Sequence, residues 1–256
     1  MVAVAYQLQG RTALVTGGAS GIGLALVIQL ARAGARVAIN HLAADPRGPE
    51  QVAMLRAQGL DVIGAPGDVG DAAYCERMVG TAIRDLGRLD YLACNAGTPA
   101  TRMTIPPTAL DRLTEEMWSA VIQVNLLGVF RCAKAAAPAL KAARGAMVST
   151  ASIAGIDSPG SSMAYGATKA GVISLTKNLA RTLAPEARAN AVAPGAVDST
   201  WMVDWTEAQR TASIEKALLK RRCAPDDLAE VMLFLLAGAA MVTGQTVVVD
   251  GGLTLG

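Results

Sequence analysis

Residues 12–23 read TALVTGGASGIG and join a short apolar run to a helix-length run through a glycine-rich turn. We predict a strand at 12–16 and a helix at 22–33. Glycines in such a turn let the backbone bend tightly and approach a pyrophosphate, whose charge is stabilised by the N-terminus of the following helix. A glycine motif alone is weak evidence. Its position between the first strand and the first helix favours a dinucleotide-binding turn over a plain tight turn.

The rest of the chain repeats this alternation of strand-length and helix-length runs. Further strands are predicted at 36–40, 62–66, 89–95, 146–150, 189–192 and 246–249, and helices at 51–58, 72–86, 114–142, 165–183 and 226–236. The helix at 114–142 is expected to bend or step near Pro138. Apolar strands that are each followed by a helix form a parallel sheet covered on both faces. With right-handed crossovers, residues 1–256 become one α/β domain with a doubly wound sheet of about seven strands, a Rossmann fold.

Composition argues against several classes of protein. Hydrophobic residues make up 52% and charged residues 17%, so the chain can bury a large core and leaves little charged surface between copies. Charges of both signs are mixed, with a net charge of +2 and no basic stripe, so we expect no nucleic-acid partner. The start lacks the pattern of a signal peptide and no run of 18 apolar residues occurs, which favours a cytoplasmic protein without a membrane span.

The four cysteines predict buried, reduced thiols. Cys75, Cys94, Cys132 and Cys223 lie far apart in the sequence and form no CxxC pair. A disulfide framework or a zinc site needs closer clustering, so we expect neither disulfides nor a metal site.

Several motifs stand at the ends of predicted strands, in a fixed order. TGxxxGxG occupies 16–23, and Asp68-Val69, Asn95-Ala96-Gly97, Ser152 and Pro194-Gly195 follow the third, fourth, fifth and sixth strands, with YxxxK at 165–169. Over essentially the whole chain, this order resembles the short-chain dehydrogenase/reductase family. The resemblance implies a nicotinamide-dependent enzyme that interconverts a small carbonyl compound and an alcohol by hydride transfer. Cys94 departs from the pattern, because many members have an asparagine there.

The resemblance also implies which residues contact the cofactor. These are Gly17, Ser20, Gly21, Ile22, Gly23, Asn40, His41, Asp68, Val69, Asn95, Ala96, Gly97, Tyr165, Lys169, Pro194, Gly195, Val197 and Ser199. Ser199 has the spacing of a threonine that reaches the nicotinamide carboxamide in the family, and Thr200 is an alternative.

Tyr165 and Lys169 are four residues apart and therefore occupy one face of the predicted helix, one turn from each other. A tyrosine has an ordinary pKa of about 10, and a neighbouring ammonium is expected to lower it toward neutral pH. The family resemblance makes Tyr165 the acid/base and gives Lys169 a second role in binding the nicotinamide ribose.

Two further residues complete the expected catalytic group. Ser152 would hydrogen-bond the substrate oxygen and stabilise the charge that develops there. Ser149 and Thr150 are rival hydroxyls, but the spacing to Tyr165 and the following Ile-Ala-Gly favour Ser152. Asn125, in the long helix, matches the family residue that holds a water for proton relay.

The end of the second strand bears on the choice of cofactor. An acidic residue there would accept the adenosine ribose hydroxyls and repel a 2′-phosphate. This chain has Asn40-His41-Leu42 instead and no carboxylate before Asp45, which favours NADP, with NAD as the alternative. The basic residues typical of NADP-dependent members are also missing, since Ser20 and Leu42 stand in their places. His41 either contacts the adenosine ribose or its phosphate, or is an ordinary polar residue at a strand end.

Residues 198–225 form a connection longer than usual, without a predicted strand, and we interpret them as a substrate lid. The segment carries Trp201, Met202, Val203 and Trp205, followed by a helix at 207–219. These side chains either form an apolar substrate face or pack onto the domain.

Three functions fit the sequence. The first is an NADP-linked carbonyl reductase or alcohol dehydrogenase. The second is a 3-oxoacyl-thioester (acyl-carrier-protein) reductase, for which Arg102, Arg112 and Arg210 would receive the carrier. A non-catalytic nucleotide-sensing protein is a remote third, because Tyr165 and Lys169 are both present. The substrate, its stereochemistry and the direction of reaction are left open.

A homotetramer is the expected assembly. The predicted helix at 114–142 is apolar around more of its circumference than one sheet contact covers. The family resemblance implies that the Val247-Val248-Val249 strand lies at a sheet edge, where an open apolar strand invites a partner. The resemblance also implies two interfaces, one from paired long helices and one from C-terminal strands, and two such isologous contacts with closed two-fold symmetry make a tetramer. The alternative is that the proline-containing loops before Thr114 cover the outer face of the helix.

Overall fold

Seven strands form one parallel sheet in the computed structural model, which describes residues 6–198 and 206–255. The strands are β1 (Thr12–Val15), β2 (Arg36–His41), β3 (Val62–Pro66), β4 (Tyr91–Cys94), β5 (Ala146–Thr150), β6 (Arg188–Pro194) and β7 (Thr246–Val249). Their order across the sheet is β3-β2-β1-β4-β5-β6-β7, as expected for a doubly wound fold. The order reverses between β1 and β4, and ligands of such sheets bind beyond the carboxyl ends of the strands at this point.

Helices cover both faces of the sheet. They are α1 (Gly21–Arg32), α2 (Arg47–Ala57), α3 (Ala72–Leu86), α4 (Glu115–Val121), α5 (Gly128–Ala143), α6 (Met163–Leu183), α7 (Glu207–Lys216) and α8 (Pro225–Leu233). One buried core joins the sheet to α1, α2 and α8, and a second joins it to α3, α5 and α6. Leu14 and Ile39 are fully buried in different cores, which explains why the strands are apolar throughout.

The amino ends of two central strands are fixed by a buried carboxylate. Asp90, just before β4, is 1% exposed. Its Oδ1 accepts a hydrogen bond from Arg11 at 2.7 Å and one from Arg88 at 2.7 Å, and its Oδ2 accepts one from the backbone nitrogen of Thr12 at 3.0 Å. Two guanidinium groups and a backbone amide therefore satisfy this charge at the edge of the sheet opposite the carboxyl ends.

The long helix departs from regular geometry at a different place from the one predicted. α4 and α5 are joined by a π-helical turn, Ile122–Leu127, whereas Pro138 lies inside α5 and the helix continues past it to Ala143. The bend expected near Pro138 is thus replaced by a wider turn around Asn125. π-Helical turns of this kind are frequent at functional sites.

The stretch Glu115–Ala143 is long and apolar enough to cross a membrane by length and hydropathy alone. In the structure α3 and α6 pack against it, and Asn125 and Arg131 on it hydrogen-bond to neighbouring loops. The stretch is therefore packed against the rest of the domain on these sides.

Two helix boundaries differ from the prediction. α2 begins at Arg47, four residues before the predicted start, because Pro49 falls in its first turn, where a missing N–H leaves no hydrogen bond unmade. α7 ends at Lys216 and not at 219. The predicted lid residues Trp201, Met202, Val203 and Trp205 lie outside the described residues.

Candidate active site and cofactor cavity

The glycine turn after β1 has no room for side chains. Gly17 and Gly21 have φ angles of +61° and +52°, which favour glycine. A Cβ on Gly17 would lie 3.0 Å from the Cα of Ala96, and one on Gly23 would lie 2.3 Å from the backbone oxygen of Gly17. The turn therefore packs tightly between α1 and the loop after β4, as required where a phosphate approaches the N-terminus of a helix.

One cavity of about 680 Å³ extends from the end of β2, past this turn, to the end of β5 and the start of α6. Most of the predicted cofactor residues line it: Gly17, Ser20, Gly21, Ile22, Asn40, His41, Asp68, Val69, Asn95, Ala96, Gly97, Tyr165, Lys169, Pro194, Gly195 and Val197. Gly23 lies behind the turn, and Ser199 and Thr200 are outside the described residues. The volume and lining of the cavity fit a dinucleotide, with the first turn of α1 beside it.

Asn40 supports the glycine turn. Its buried side-chain nitrogen donates to the backbone oxygens of Ala65 and Gly67, both at 3.0 Å, and its side-chain oxygen accepts from the backbone nitrogen of Gly17 at 3.3 Å. Asn40 thus joins β1 to the end of β3. An aspartate has no side-chain N–H and could not donate these two hydrogen bonds. Position 40 therefore requires an asparagine for structural reasons, whatever the choice of cofactor.

A charged pair that the sequence analysis missed lies at the adenosine end of the cavity. Arg47, the first residue of α2, binds Asp45 through Nε–Oδ1 at 2.9 Å and Nη2–Oδ2 at 2.7 Å, and both residues line the cavity. The hydrogen bonds from Arg47 lower the pKa of Asp45 below its ordinary value. His41 lies beside them with Nδ1 2.9 Å from the oxygen of Leu42. The sequence analysis named Asp45 only as the first carboxylate after β2 and did not consider Arg47.

The loops after β3 and β4 are held by side-chain caps. The Oδ1 of Asp68 accepts from the backbone nitrogen of Gly70 at 2.7 Å, and Asp68 also lines the cavity. Asn95 donates through Nδ2 to the oxygens of Thr16 and Gly17 at 3.2 and 3.3 Å. The glycine turn and the Asn95-Ala96-Gly97 segment are therefore connected directly.

Three of the predicted catalytic residues come together at the other end of the cavity. Tyr165 and Lys169 lie on the first two turns of α6, whose N-cap Ser162 accepts from the backbone nitrogen of Tyr165 at 3.1 Å. The Nζ of Lys169 lies 5.5 Å from the centre of the Tyr165 ring and donates to the oxygen of Thr150 at 2.6 Å. Ser152, which follows β5, hydrogen-bonds the Tyr165 side chain.

The pKa values of this group follow from burial. Lys169 is 2% exposed, and loss of solvation lowers the pKa of its ammonium from 10.5 to about 8. Burial raises the pKa of Tyr165 to about 12, and the hydrogen bond with Ser152 offsets only part of that rise. The expectation that Lys169 lowers the pKa of Tyr165 is therefore wrong for this structure, because burial of the phenol dominates. At neutral pH Tyr165 carries a proton that it can donate.

Asn125 is completely buried and does not line the cavity. Its side-chain oxygen accepts from the backbone nitrogen of Thr98 at 2.7 Å, and its nitrogen donates to the Thr98 oxygen at 2.9 Å and to the Thr168 hydroxyl at 3.3 Å. Asn125 thus fixes the loop after Gly97 against the helix that carries Lys169. Its predicted role in holding a water stays a prediction.

Beyond Tyr165 the cavity widens into a region that the sequence analysis described only in part. It is lined by Thr101, Arg102, Met103, Thr104, Ser158, Ser161 and Leu253. Of the three arginines considered for a carrier protein, Arg102 lines this region, and Arg112 and Arg210 lie elsewhere. Loop residues from distant parts of the chain meet here, and only proximity in the fold identifies them.

All four cysteines are buried free thiols. The sulfur atoms of Cys75 and Cys132 lie 3.4 Å apart, and burial raises the pKa of Cys223. Within residues 6–198 and 206–255, no group of three or more histidine, cysteine or acidic side chains is arranged to hold a metal ion.

Comparison with known proteins extends over the same residues. A family model described as enoyl-(acyl carrier protein) reductase matches residues 17–254. The chain is 35% identical over 247 residues to the 3-oxoacyl-[acyl-carrier-protein] reductase FabG of Staphylococcus aureus, covering 95% of this chain and 98% of the relative. It is 36% identical over 253 residues to the 3-oxoacyl-[acyl-carrier-protein] reductase of Synechocystis, covering 97% and 98%.

A solved structure shares the fold and the extent of the chain. The short-chain dehydrogenase from Burkholderia cenocepacia in complex with NADP superposes with a TM-score of 0.87 at 32% identity, covering 97% of this chain and 99% of that one. The matched span includes the glycine turn, the helix with Tyr165 and Lys169, and the last strand. The protein therefore belongs to the short-chain dehydrogenase/reductase family of NAD(P)-dependent oxidoreductases.

Proposed function

We propose that this protein is an NADPH-dependent carbonyl reductase that converts a ketone or aldehyde to an alcohol. One observation carries the proposal: a single cavity holds the glycine turn near its middle and Ser152, Tyr165 and Lys169 at one end. A dinucleotide that follows this cavity has its reactive end beside the phenol. When bound, the nicotinamide supplies the hydride that the carbonyl carbon accepts.

The three side chains divide the remaining chemistry. Tyr165, protonated because its pKa is raised to about 12, donates its proton to the carbonyl oxygen as the alcohol forms. Ser152 donates a hydrogen bond to the same oxygen and stabilises its developing charge. Lys169, with a pKa of about 8, is mainly charged at neutral pH and places a positive charge beside the phenolate that remains. Asn125 holds the loop after Gly97 against α6.

NADP is the proposed cofactor, with NAD as the alternative. The end of β2 carries Asn40 and His41, so no carboxylate there repels a 2′-phosphate. Arg47 lines the same end of the cavity and offers a planar donor pair that suits a phosphate. The related Burkholderia cenocepacia enzyme was solved with NADP. Asp45 supports the alternative, because its carboxylate can accept ribose hydroxyls if Arg47 stays paired with it.

A 3-oxoacyl thioester is the second candidate substrate. The Staphylococcus aureus and Synechocystis relatives are named for reduction of this group on an acyl carrier protein. Arg102 on the rim of the substrate region would meet the anionic carrier arm. A non-catalytic nucleotide-sensing function has little support, because the fold brings Ser152, Tyr165 and Lys169 together.

We further propose that residues 198–225 form a lid within a single domain that comprises residues 1–256. Val197 and Cys223 form an isolated β-bridge, in which the backbone nitrogen of Asp198 donates to the oxygen of Cys223 at 2.9 Å. The two ends of the segment are thus held together beside Gly195, at the border of the cavity. Closure of a lid at this position would exclude water from the reacting carbonyl.

A cytoplasmic homotetramer is the proposed form of the enzyme. Phe130 on α5 is 45% exposed, and Phe234 after α8 and Val248 on the edge strand β7 are 46% and 43% exposed. Apolar surface on the long helix and at the sheet edge suits two isologous contacts. Light scattering would report about 105 kDa for four chains of 26.2 kDa, and a mass near one chain at micromolar concentration would refute the assembly.

Cofactor oxidation with a panel of carbonyl compounds tests the proposed function. NADPH and NADH are each tried with simple ketones, sugars and acetoacetyl thioesters, and Tyr165→Phe serves as the matched catalytic control. We expect turnover of at least one ketone that prefers NADPH and depends on Tyr165. Turnover confined to acetoacetyl thioesters selects the second candidate. No turnover of any compound with either cofactor would overturn the proposal.

A further inference from the structure

Arg131 hydrogen-bonds two segments of the chain, the loop after β3 and the π-helical turn in the long helix. Its Nη1 donates to the backbone oxygens of Gly70 at 2.7 Å, Gln123 at 3.2 Å and Val69 at 3.3 Å. Its Nη2 donates to the side-chain oxygen of Gln123 at 2.6 Å. One guanidinium therefore joins the loop after β3 to the first residues of the π-helical turn in the long helix.

The same two segments are also packed closely against each other. A Cβ added to Gly128 would lie 3.1 Å from the Cγ2 of Val69, and one added to Gly70 would lie 3.1 Å from the Cγ2 of Val124. Glycine is thus present on each side of the contact where a larger residue would push the segments apart. The loop lies directly on the helix, and the hydrogen bonds of Arg131 close one side of this contact.

Both segments reach the cavity, the loop through Asp68 and Val69 and the π-helical turn through Val124. Asp68 and Val69 belong to the part of the cavity that we propose to bind the adenosine. The π-helical turn carries Asn125, which holds the loop after Gly97 near the catalytic group. Arg131 itself does not line the cavity. Any effect on ligand binding must therefore pass through the residues that it holds.

We propose that Arg131 is a positioning residue that fixes the loop Asp68–Gly70 on the π-helical turn and thereby sets the affinity for the adenosine half of the cofactor. The inference rests on the proposed function, since it requires a dinucleotide in this cavity. Charged donors make the strongest hydrogen bonds to backbone oxygens, and a planar guanidinium can serve several acceptors on both segments at once. A lysine ammonium is a single point and cannot span them.

Binding of a cofactor fragment provides the test. Adenosine 2′,5′-bisphosphate occupies only the adenosine half of the site, so its dissociation constant reports on the loop without the catalytic end. Quenching of tryptophan fluorescence or calorimetry gives this constant and that of NADPH for the parent, Arg131→Met, Arg131→Lys and Gln123→Ala. Gln123→Ala removes only the acceptor of Nη2. Arg77→Met is the matched control, because Arg77 is an arginine on α3 that lies over the Tyr74 ring.

We expect Arg131→Met to weaken both ligands by the same factor, about tenfold or more, with Arg131→Lys and Gln123→Ala intermediate and Arg77→Met unchanged. At saturating NADPH, kcat and its pH profile should stay within about threefold of the parent. Parent-like affinities in folded Arg131→Met would overturn the proposal. So would a large fall in kcat with unchanged affinities, since Arg131 would then act through Asn125. If the parent binds neither ligand, the proposed function itself fails. If Arg131→Met does not fold, the dissociation constants of Arg131→Lys and Gln123→Ala decide, and parent-like values for both would overturn the proposal.

Discussion

Replacing Lys169 by methionine should remove turnover and yet leave the protein at least as stable at neutral pH. Methionine is unbranched and apolar, so it fills the buried space of the lysine stem without the charge. The pKa of Lys169 falls from 10.5 to about 8 in the folded protein because of burial. Since one pKa unit corresponds to 1.36 kcal/mol, the buried ammonium destabilises the folded state by about 3 kcal/mol at pH 7.

One contact acts against this gain. The Nζ of Lys169 donates to the oxygen of Thr150 at 2.6 Å, and a buried oxygen without its donor costs about 1–3 kcal/mol. The variant should therefore lie between equal stability and about 2 kcal/mol greater stability at pH 7.

The pH dependence of the difference is the sharper result. Below pH 8 the lysine is protonated in both states, and the parent carries the full unfavourable free energy of the buried ammonium. Between pH 8 and 10.5 the folded state has released the proton that the unfolded state still binds, so the stability of the parent rises with pH. Relative to Lys169→Met, the parent should gain about 3 kcal/mol over this interval and no more above it.

Urea unfolding at pH 7, 8.5, 9.5 and 10.5 measures this difference, because groups common to both proteins largely cancel. Repeating the pair in a Tyr165→Phe background removes the neighbouring phenol and attributes the change to Lys169. A difference in the free energy of unfolding that stays constant within about 0.5 kcal/mol across this range would refute the reasoning.

Substitutions at three further positions test the rest of the site. Tyr165→Phe should lower kcat by about 10²–10⁴-fold and leave the dissociation constant of NADPH nearly unchanged, because only the proton donor is lost; turnover close to the parent's would contradict its role. His41→Asp should shift the ratio of kcat/KM toward NADH, since a carboxylate repels a 2′-phosphate and accepts ribose hydroxyls, and an unchanged ratio would place position 41 outside the adenosine pocket. Asp68→Ala should weaken NADPH binding more than it lowers kcat, as measured by fluorescence quenching, and Asp68→Asn, which can still cap Gly70, should bind better than the alanine variant; equal affinity of the parent and Asp68→Ala would leave Asp68 as a loop cap alone.

The sequence predicted most of the strands because each is a continuous apolar run that ends in a polar or glycine motif. Those motifs follow parallel strands, whose carboxyl ends lie at one edge of the sheet, so the sequence alone predicted that the motifs meet there. The π-helical turn around Asn125 was not, because Asn125 there hydrogen-bonds the backbone of Thr98, a residue distant in the sequence, and no local pattern shows such a contact.

Other features depend on burial or on distant backbone atoms. The spacing of Tyr165 and Lys169 predicted their proximity correctly, but it could not reveal that burial raises the pKa of the phenol. Arg131 escaped notice because its acceptors are mainly backbone oxygens, which carry no sequence signal. Arg47 was missed because the predicted helix began at 51, whereas α2 begins at Arg47.

The buried carboxylate of Asp90 stabilises the sheet at a place far from the segments that we propose to face substrate. It fixes the amino ends of β1 and β4 through Arg11, Arg88 and the Thr12 backbone, on the edge of the sheet away from the cavity. The segments that we propose to face substrate all follow the carboxyl ends of strands. Mutations that change the substrate can therefore accumulate in those segments without loosening the anchored edge. Directed evolution of specificity in this protein should start at 101–104, 158–161 and 198–225 and should keep Asp90 and its partners constant.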